Sequence, residues 1–260
     1  MPLHDPRTAE LAKRLGAVRQ RIATVVAGSQ PRASAGSPTT EPTLIVVTKF
    51  HPGADVVRLR ELGVVDVGEN RDQEAAAKAL EVADPGLRWH FVGQLQSNKA
   101  KSVAAYAHSV HSIDRGSVAA ALGKAMVRQQ LLDGRADLEC FIQVELTGPY
   151  GALVAGGQSP TAGPGGRGGA APSYVLELAD SIAGTPGLVL AGVMGVAPLG
   201  ATPEPAFQLL AEVSARLRSA HPGATGISAG MSHDLEAALA AGATHLRVGS
   251  DILGPRPAVL

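Results

Sequence analysis

Thr43-Leu44-Ile45-Val46-Val47-Thr48-Lys49-Phe50-His51-Pro52 decides how this chain of 260 residues folds. An unbroken aliphatic and β-branched run, with Pro42 before it and Pro52 closing it, reads as a short strand buried on both faces, as in parallel sheets covered by helices. It ends in a lysine. In a parallel α/β barrel the C-terminal strand ends form the face on which active sites are assembled, so Lys49 would enter a pocket there. Burial lowers an amine's pKa and makes it a nucleophile toward aldehydes. The plain alternative is a lysine that merely ends a strand and reaches for water.

Outward from this strand, apolar periodicity alternates between the two regular periods. On the N-terminal side, Leu11, Leu15, Val18, Ile22 and Val25 follow Pro6 at helical spacing and stop before Gly28, and Ser29 to Thr43 reads as a linker. On the C-terminal side, helices are predicted over Ala54–Leu62, Asp72–Val82, Asn98–Ala107, Gly116–Leu132, Tyr174–Ala183, Glu204–Ala220 and His233–Ala241. Strands are predicted over Val64–Gly68, Trp89–Gly93, His108–Ile113, Leu138–Leu146, Leu188–Val196, Ala224–Ala229 and His245–Val248. Gly148 to Pro172, rich in glycine and proline and poor in large apolar residues, reads as a mobile insertion. Eight strands separated by seven helices, with an extra N-terminal helix, predict a single-domain (β/α)8 TIM-type barrel across residues 1–260. An open doubly wound sheet would favour a glycine-rich turn after the first strand, and none is present there.

Hydrophobic content of 45% with 18% charged residues is that of a soluble globular protein. Lys+Arg and Asp+Glu both number 23, so no overall field draws the chain to nucleic acid or an anionic membrane. The single cysteine, Cys140, reads as a small buried hydrophobe and suits a reducing compartment. No export signal or membrane-spanning run is visible, which predicts a cytoplasmic protein.

In barrels, phosphate is often held by the loops after strands seven and eight. Here these are Ser228-Ala229-Gly230-Met231-Ser232-His233-Asp234 and Arg247-Val248-Gly249-Ser250-Asp251. Small residues let the backbone approach an anion, and the hydroxyls of Ser228 and Ser250 can donate to it. Each loop alone is also a routine turn or helix start. Together with Lys49 they combine an aldehyde nucleophile with a phosphate cradle, the pairing that pyridoxal 5'-phosphate requires.

The chain resembles the pyridoxal phosphate homeostasis protein family, single-domain relatives of the alanine racemase N-terminal domain. Trp89-His90-Phe91-Val92-Gly93-Gln94-Leu95-Gln96-Ser97-Asn98-Lys99 carries the most specific match. Val46-Val47-Thr48-Lys49, Gly68-Glu69-Asn70 with Gln73, Gly192-Val193-Met194-Gly195, Gly230-Met231-Ser232 with Asp234, and Arg247-Val248-Gly249-Ser250 match in order. The resemblance spans residues 44 to 256 apart from the insertion. It implies pyridoxal phosphate as cofactor, joined to Lys49 as a Schiff base, with its phosphate held by Ser228, Gly249 and Ser250 and with Gly230 also among the cofactor-binding residues. Arg247 would face the pyridine nitrogen, and Asn70, His90 and Met194 would line the mouth or the layer beneath. Ser250 stands where the family usually has threonine, and the insertion replaces a short loop. From the residues alone, His90 reads as a structural histidine, Asn70 as a helix cap, and Lys99 with Lys101 as a solvated helix face. The expected role is cofactor homeostasis in a monomer without substantial turnover, with cofactor-dependent apoenzymes as partners. The alternative is a pyridoxal-phosphate-dependent racemase, disfavoured because no second domain follows strand eight to supply an opposing base.

Overall fold

The structure, a computed structural model, describes residues 5–28, 41–147 and 168–256. Eight parallel strands close into a barrel in chain order: β1 (Thr43–Val47), β2 (Asp66–Glu69), β3 (Arg88–Phe91), β4 (Ala107–Ile113), β5 (Leu138–Gln143), β6 (Leu188–Met194), β7 (Gly226–Ser228) and β8 (His245–Val248). β8 returns to β1 with Leu44 opposite Leu246 and Val46 opposite Val248. Around them run α1 (Pro6–Gly28), α2 (Gly53–Glu61), α3 (Asp72–Val82), α4 (Ala100–Tyr106), α5 (Gly116–Asp133), α6 (Val175–Ala183), α7 (Glu204–Ala220), α8 (Leu235–Ala240) and α9 (Ser250–Leu253). The TIM-type barrel and its extra N-terminal helix are as expected.

Differences from the sequence reading fall at element ends. Strands predicted to reach Gly93, Leu146 and Val196 stop earlier, because the chain leaves the ladder to form the mouth. A turn of 3-10 helix, Ser97–Lys99, precedes α4, and α9 was not foreseen. Of the predicted insertion, 148–167 lies outside the described residues. Gly168–Pro172 is part of the barrel wall: Ala170 is buried and bridges Val144, and Gly168 accepts a hydrogen bond from Gln143 Nε2. Residues 29–40 of the predicted linker also lie outside the described residues.

Strand periodicity divides the core in two. Val46, Val67, Phe91, Val110, Ile142 and Leu246 face outward into one apolar cluster with Leu59, Val103, Leu122, Leu178 and Leu210 of the helices. Cys140 belongs to this layer, and burial pushes its thiol pKa up, so it is the inert hydrophobe expected. The alternate positions face inward, and many are polar: Asp66, His90, Ser109, His111, His245 and Arg247. Two glycines admit this filling. A Cβ on Gly226 would stand 2.5 Å from Phe141 Cε1, and one on Gly68 would stand 2.9 Å from Ile45 Cγ2.

α1 buries Leu11, Leu15, Val18 and Ile22 at four- and three-residue spacing against α2, α8 and α9. It covers the seam where the barrel closes. Its arginines reach further, for Arg21 donates to the Ser232 carbonyl at 3.0 Å and to Asp251 at 2.7 Å, and Arg7 donates to the Leu253 carbonyl at 3.0 Å. Both loops beyond β7 and β8 are thereby tied to the first helix.

Candidate functional site

At the C-terminal strand ends lies a cavity of about 660 Å³ whose wall includes Lys49, Asn70, Met194, Arg247, Gly249 and Ser250. This size suits a small-molecule site. Six of the eight residues predicted for a cofactor therefore meet in one place. Lys49, Arg247 and Arg256 make the wall cationic, and among the described residues no aspartate or glutamate belongs to it. In a chain with equal numbers of acidic and basic residues, this one-sided lining selects an anion.

Lys49 is separated from the end of β1 at Val47 by Thr48 alone, and the peptide groups on both sides of it are pinned. Lys78 on α3, only 6% exposed, donates to the Thr48 carbonyl at 2.8 Å and to Glu69 and Glu74 at 2.7 and 2.8 Å. Glu69 also accepts from the Thr48 hydroxyl at 2.7 Å, and Glu74 accepts from the Phe50 N–H at 2.5 Å. Phe50 takes the left-handed conformation (φ 68°), which is strained for a side chain of this size. Its ring carries the guanidinium of Arg256 at 4.0 Å. Among the described residues the Lys49 amine itself has no hydrogen bond or ion pair. Burial first, and then Arg256, hold its pKa below the ordinary lysine range, against the opposing pull of Glu69. That combination favours a neutral, nucleophilic amine.

Arg247 is inserted from the barrel interior beneath the cavity. Its Nη1 donates to Ser228 Oγ at 2.6 Å and its Nη2 to the Gly195 carbonyl at 2.9 Å. Burial lowers its pKa to about 10, so it stays charged at neutral pH. Both acceptors are neutral, which leaves a buried cation calling for electron density from the cavity. Ser228 is completely buried and is absent from the cavity wall, as is Gly230. The Ser228 oxygen accepts from Arg247, and its hydroxyl lies 2.8 Å from His111 Nδ1. It is thus placed one layer deeper than the expected phosphate contact. Ser232, which the sequence reading treated as a helix start, occupies the wall instead, 3.2 Å from the Ser250 hydroxyl. Gly230, at φ 89°, turns the chain so that its carbonyl accepts from Arg247 N.

Among the described residues, Asn70 Oδ1 and His51 Nδ1 have no hydrogen-bond partner, and His51 Nδ1 stands 3.7 Å from Asp55. Asn70 does not cap α3, whose N-cap is Arg71. His90 lies below the mouth with both ring nitrogens bonded, as the structural reading expected. Lys101 is exposed, and Lys99 is half-exposed, 3.8 Å from Asp72.

No protein-family model matches the chain. A protein named pyridoxal phosphate homeostasis protein from Mycobacterium leprae is 39% identical over 264 residues, covering 97% of this chain and 95% of its own. The chain belongs to the pyridoxal phosphate homeostasis protein family. The structure of PipY from Synechococcus elongatus with PLP bound superposes with a TM-score of 0.71 at 28% identity, over 94% of this chain and all of that one. An alanine racemase from Corynebacterium glutamicum shares the fold, with a TM-score of 0.62 at 12% identity, and this chain covers 62% of its length.

In this member of the homeostasis family, the residues that sequence reasoning missed are Lys78, Glu69, Glu74, Ser232 and Arg256. The sequence offered one ambiguous signal for Lys78 and Glu74: they are four apart, which ordinarily marks an exposed ion pair. Arg256 lies beyond the last strand, with no local periodicity to point it at a cavity.

Proposed function

We propose that this protein binds pyridoxal 5'-phosphate in the C-terminal cavity through Lys49 and serves intracellular vitamin B6 homeostasis as a carrier. The reading rests on one observation above the others: a lysine biased toward its neutral form stands in a cavity that carries two further cations and no carboxylate among its described lining. When bound, the cofactor supplies an aldehyde that condenses with a primary amine. Lys49 is the amine in reach. Ser232, Ser250 and the backbone at Gly249 hold the phosphate, assisted by the positive charge of Arg256. Arg247 offers its charged N–H groups to the ring nitrogen and disfavours a second positive charge there. Asn70 Oδ1, without a hydrogen-bond partner among the described residues, suits a ligand with polar substituents, and Met194 packs against its apolar face.

A carrier needs these binding groups, whereas a racemase also needs an acid/base on each face of the cofactor. Among the described wall residues, His51 and His233 are the remaining candidates for proton transfer. As a carrier, it acts as a cytoplasmic monomer that yields its cofactor to apoenzymes. The test is borohydride reduction of protein mixed with pyridoxal phosphate, followed by peptide mapping. Lys49 should carry the label, and Lys49→Ala should lose the bound cofactor's absorbance. A label elsewhere with Lys49 unmodified overturns the assignment.

A further inference from the structure

The barrel interior holds a continuous line of polar side chains running from the N-terminal rim to the cavity. Asp66, the first residue of β2, lies 2.8 Å from His90 Nε2 and also accepts from Arg88 at 2.7 Å. His90 Nδ1 is 2.6 Å from Ser109 Oγ, which is 2.9 Å from His111 Nε2. His111 Nδ1 is 2.8 Å from Ser228 Oγ, which receives Arg247 Nη1 at 2.6 Å. All six residues are buried. Such a position in a barrel is ordinarily filled by branched aliphatic side chains.

We infer that Asp66, His90, Ser109, His111 and Ser228 form one directed hydrogen-bond relay that orients Arg247 toward the cofactor cavity, which makes them positioning residues for the site. The inference rests on the proposed cofactor reading for its purpose, but the direction of the relay follows from counting donors. An ionised carboxylate only accepts, so His90 presents Nε2–H to Asp66, and with one ring proton its Nδ1 accepts from Ser109. The Ser109 proton is then spent, and its oxygen must accept from His111 Nε2–H. That leaves His111 Nδ1 to accept the Ser228 proton, and frees the Ser228 oxygen to accept from Arg247. Every proton is used once, and the line runs from a cation at the cavity to an anion at the rim.

The reverse direction fails at Ser228. Two donors would then point at its oxygen, from His111 and Arg247, and its own proton would find no acceptor among the described residues. Phe141, stacked on the His111 ring at 4.2 Å with 15° between planes, holds the plane of that ring. The 3.2 Å contact between His90 Nδ1 and His111 Nε2 has the same sense, so Ser109 is bypassed without reversing the line. A buried guanidinium with only neutral direct partners thus gains a distant carboxylate through polarised bonds. Ser228, its one proton held by His111, is unable to donate to a ligand.

Nitrogen-15 NMR of the full-length protein, uniformly labelled at histidine and without added cofactor, reads the tautomers directly. His90 and His111 should both be protonated at Nε2 only. A proton on Nδ1 of His111, or a doubly protonated His111 at neutral pH, overturns the relay. The second arm titrates pyridoxal phosphate into Asp66→Asn, Asp66→Leu and His111→Phe, the last preserving the stack on Phe141 should the leucine variant fold poorly. Affinity should fall little in Asp66→Asn, where an acceptor remains. In the other two variants it should fall on the order of tenfold, the scale of a lost bond to a charged group, with a shifted absorbance of the bound cofactor. Folded variants with unchanged affinity and spectrum overturn the positioning role. If the parent protein binds no pyridoxal phosphate, the cofactor reading and the positioning role fail together, and the tautomers still decide the relay.

Discussion

Replacing Lys78 with methionine tests the clamp around Lys49, and the size of the effect follows from burial. The Lys78 ammonium serves three acceptors, one of them Glu69, which is 1% exposed. Breaking a buried pair by removing one partner costs about 3–5 kcal/mol, because the other charge is stranded. Glu69 can escape that by taking up a proton. Its pKa is already raised, chiefly by burial, against the lowering by Lys78 and Thr48. Holding a glutamate neutral at pH 7 costs about 3.7 kcal/mol, from ~1.36 kcal/mol per pH unit above a reference near 4.3. The expected loss at pH 7 is therefore about 3–4 kcal/mol, or roughly 10 °C in melting temperature for a chain of this size. The pH dependence has a fixed sign. A carboxyl with a folded pKa above its unfolded value stabilises fully below the unfolded value and loses that contribution as pH rises through the folded one. Without Lys78 the folded pKa of Glu69 moves further up, so the penalty grows between pH 5 and 7 and is only ~1 kcal/mol at pH 5 by the same arithmetic. Urea unfolding at pH 5, 6 and 7 measures it, and Lys78→Met/Glu69→Gln should recover most of the loss and flatten its pH dependence. A loss under ~1 kcal/mol at pH 7, or one that does not change with pH, refutes the reasoning.

Three further outcomes are expected. Ser250→Ala should weaken pyridoxal phosphate while leaving pyridoxal, which lacks the phosphate, unaffected, whereas Ser228→Ala should weaken both alike; paired titrations separate the two, and a phosphate-selective loss in Ser228→Ala would return that hydroxyl to the phosphate site. Arg256→Ala should move the pH midpoint for acylation of Lys49 upward, since the Arg256 charge is second only to burial in lowering that pKa; a downward or absent shift contradicts it. Gly192→Ala should prevent a stable barrel, because Gly192 has φ 157° and its new Cβ would collide with the Gly226 carbonyl on the neighbouring strand; a melting temperature close to that of the parent protein counts against the close approach of β6 and β7.

The barrel was legible because apolar periodicity is a local quantity. Thr43–Val47 and Asp72–Val82 can be read within their own few residues, and neither depends on the rest of the chain for its period. The position of Lys49 at a strand end was legible for the same reason, since the aliphatic run stops beside it. Its aim was not. Glu74 and Lys78 have the spacing of a solvated pair, and only closure of the barrel puts them under the β1 loop, where one ammonium serves two carboxylates and a backbone carbonyl. The relay is still less local, joining positions 66, 90, 109, 111, 228 and 247 across five strands. Each member taken alone is an ordinary polar residue in an apolar run, and His90 was read as structural on that basis. A buried hydrogen bond specifies a partner as much as a residue, and its energy depends on the dielectric around both. Neither quantity exists in the chain until the strands have met, so a polar interior is the part of such a barrel that sequence pattern conveys least.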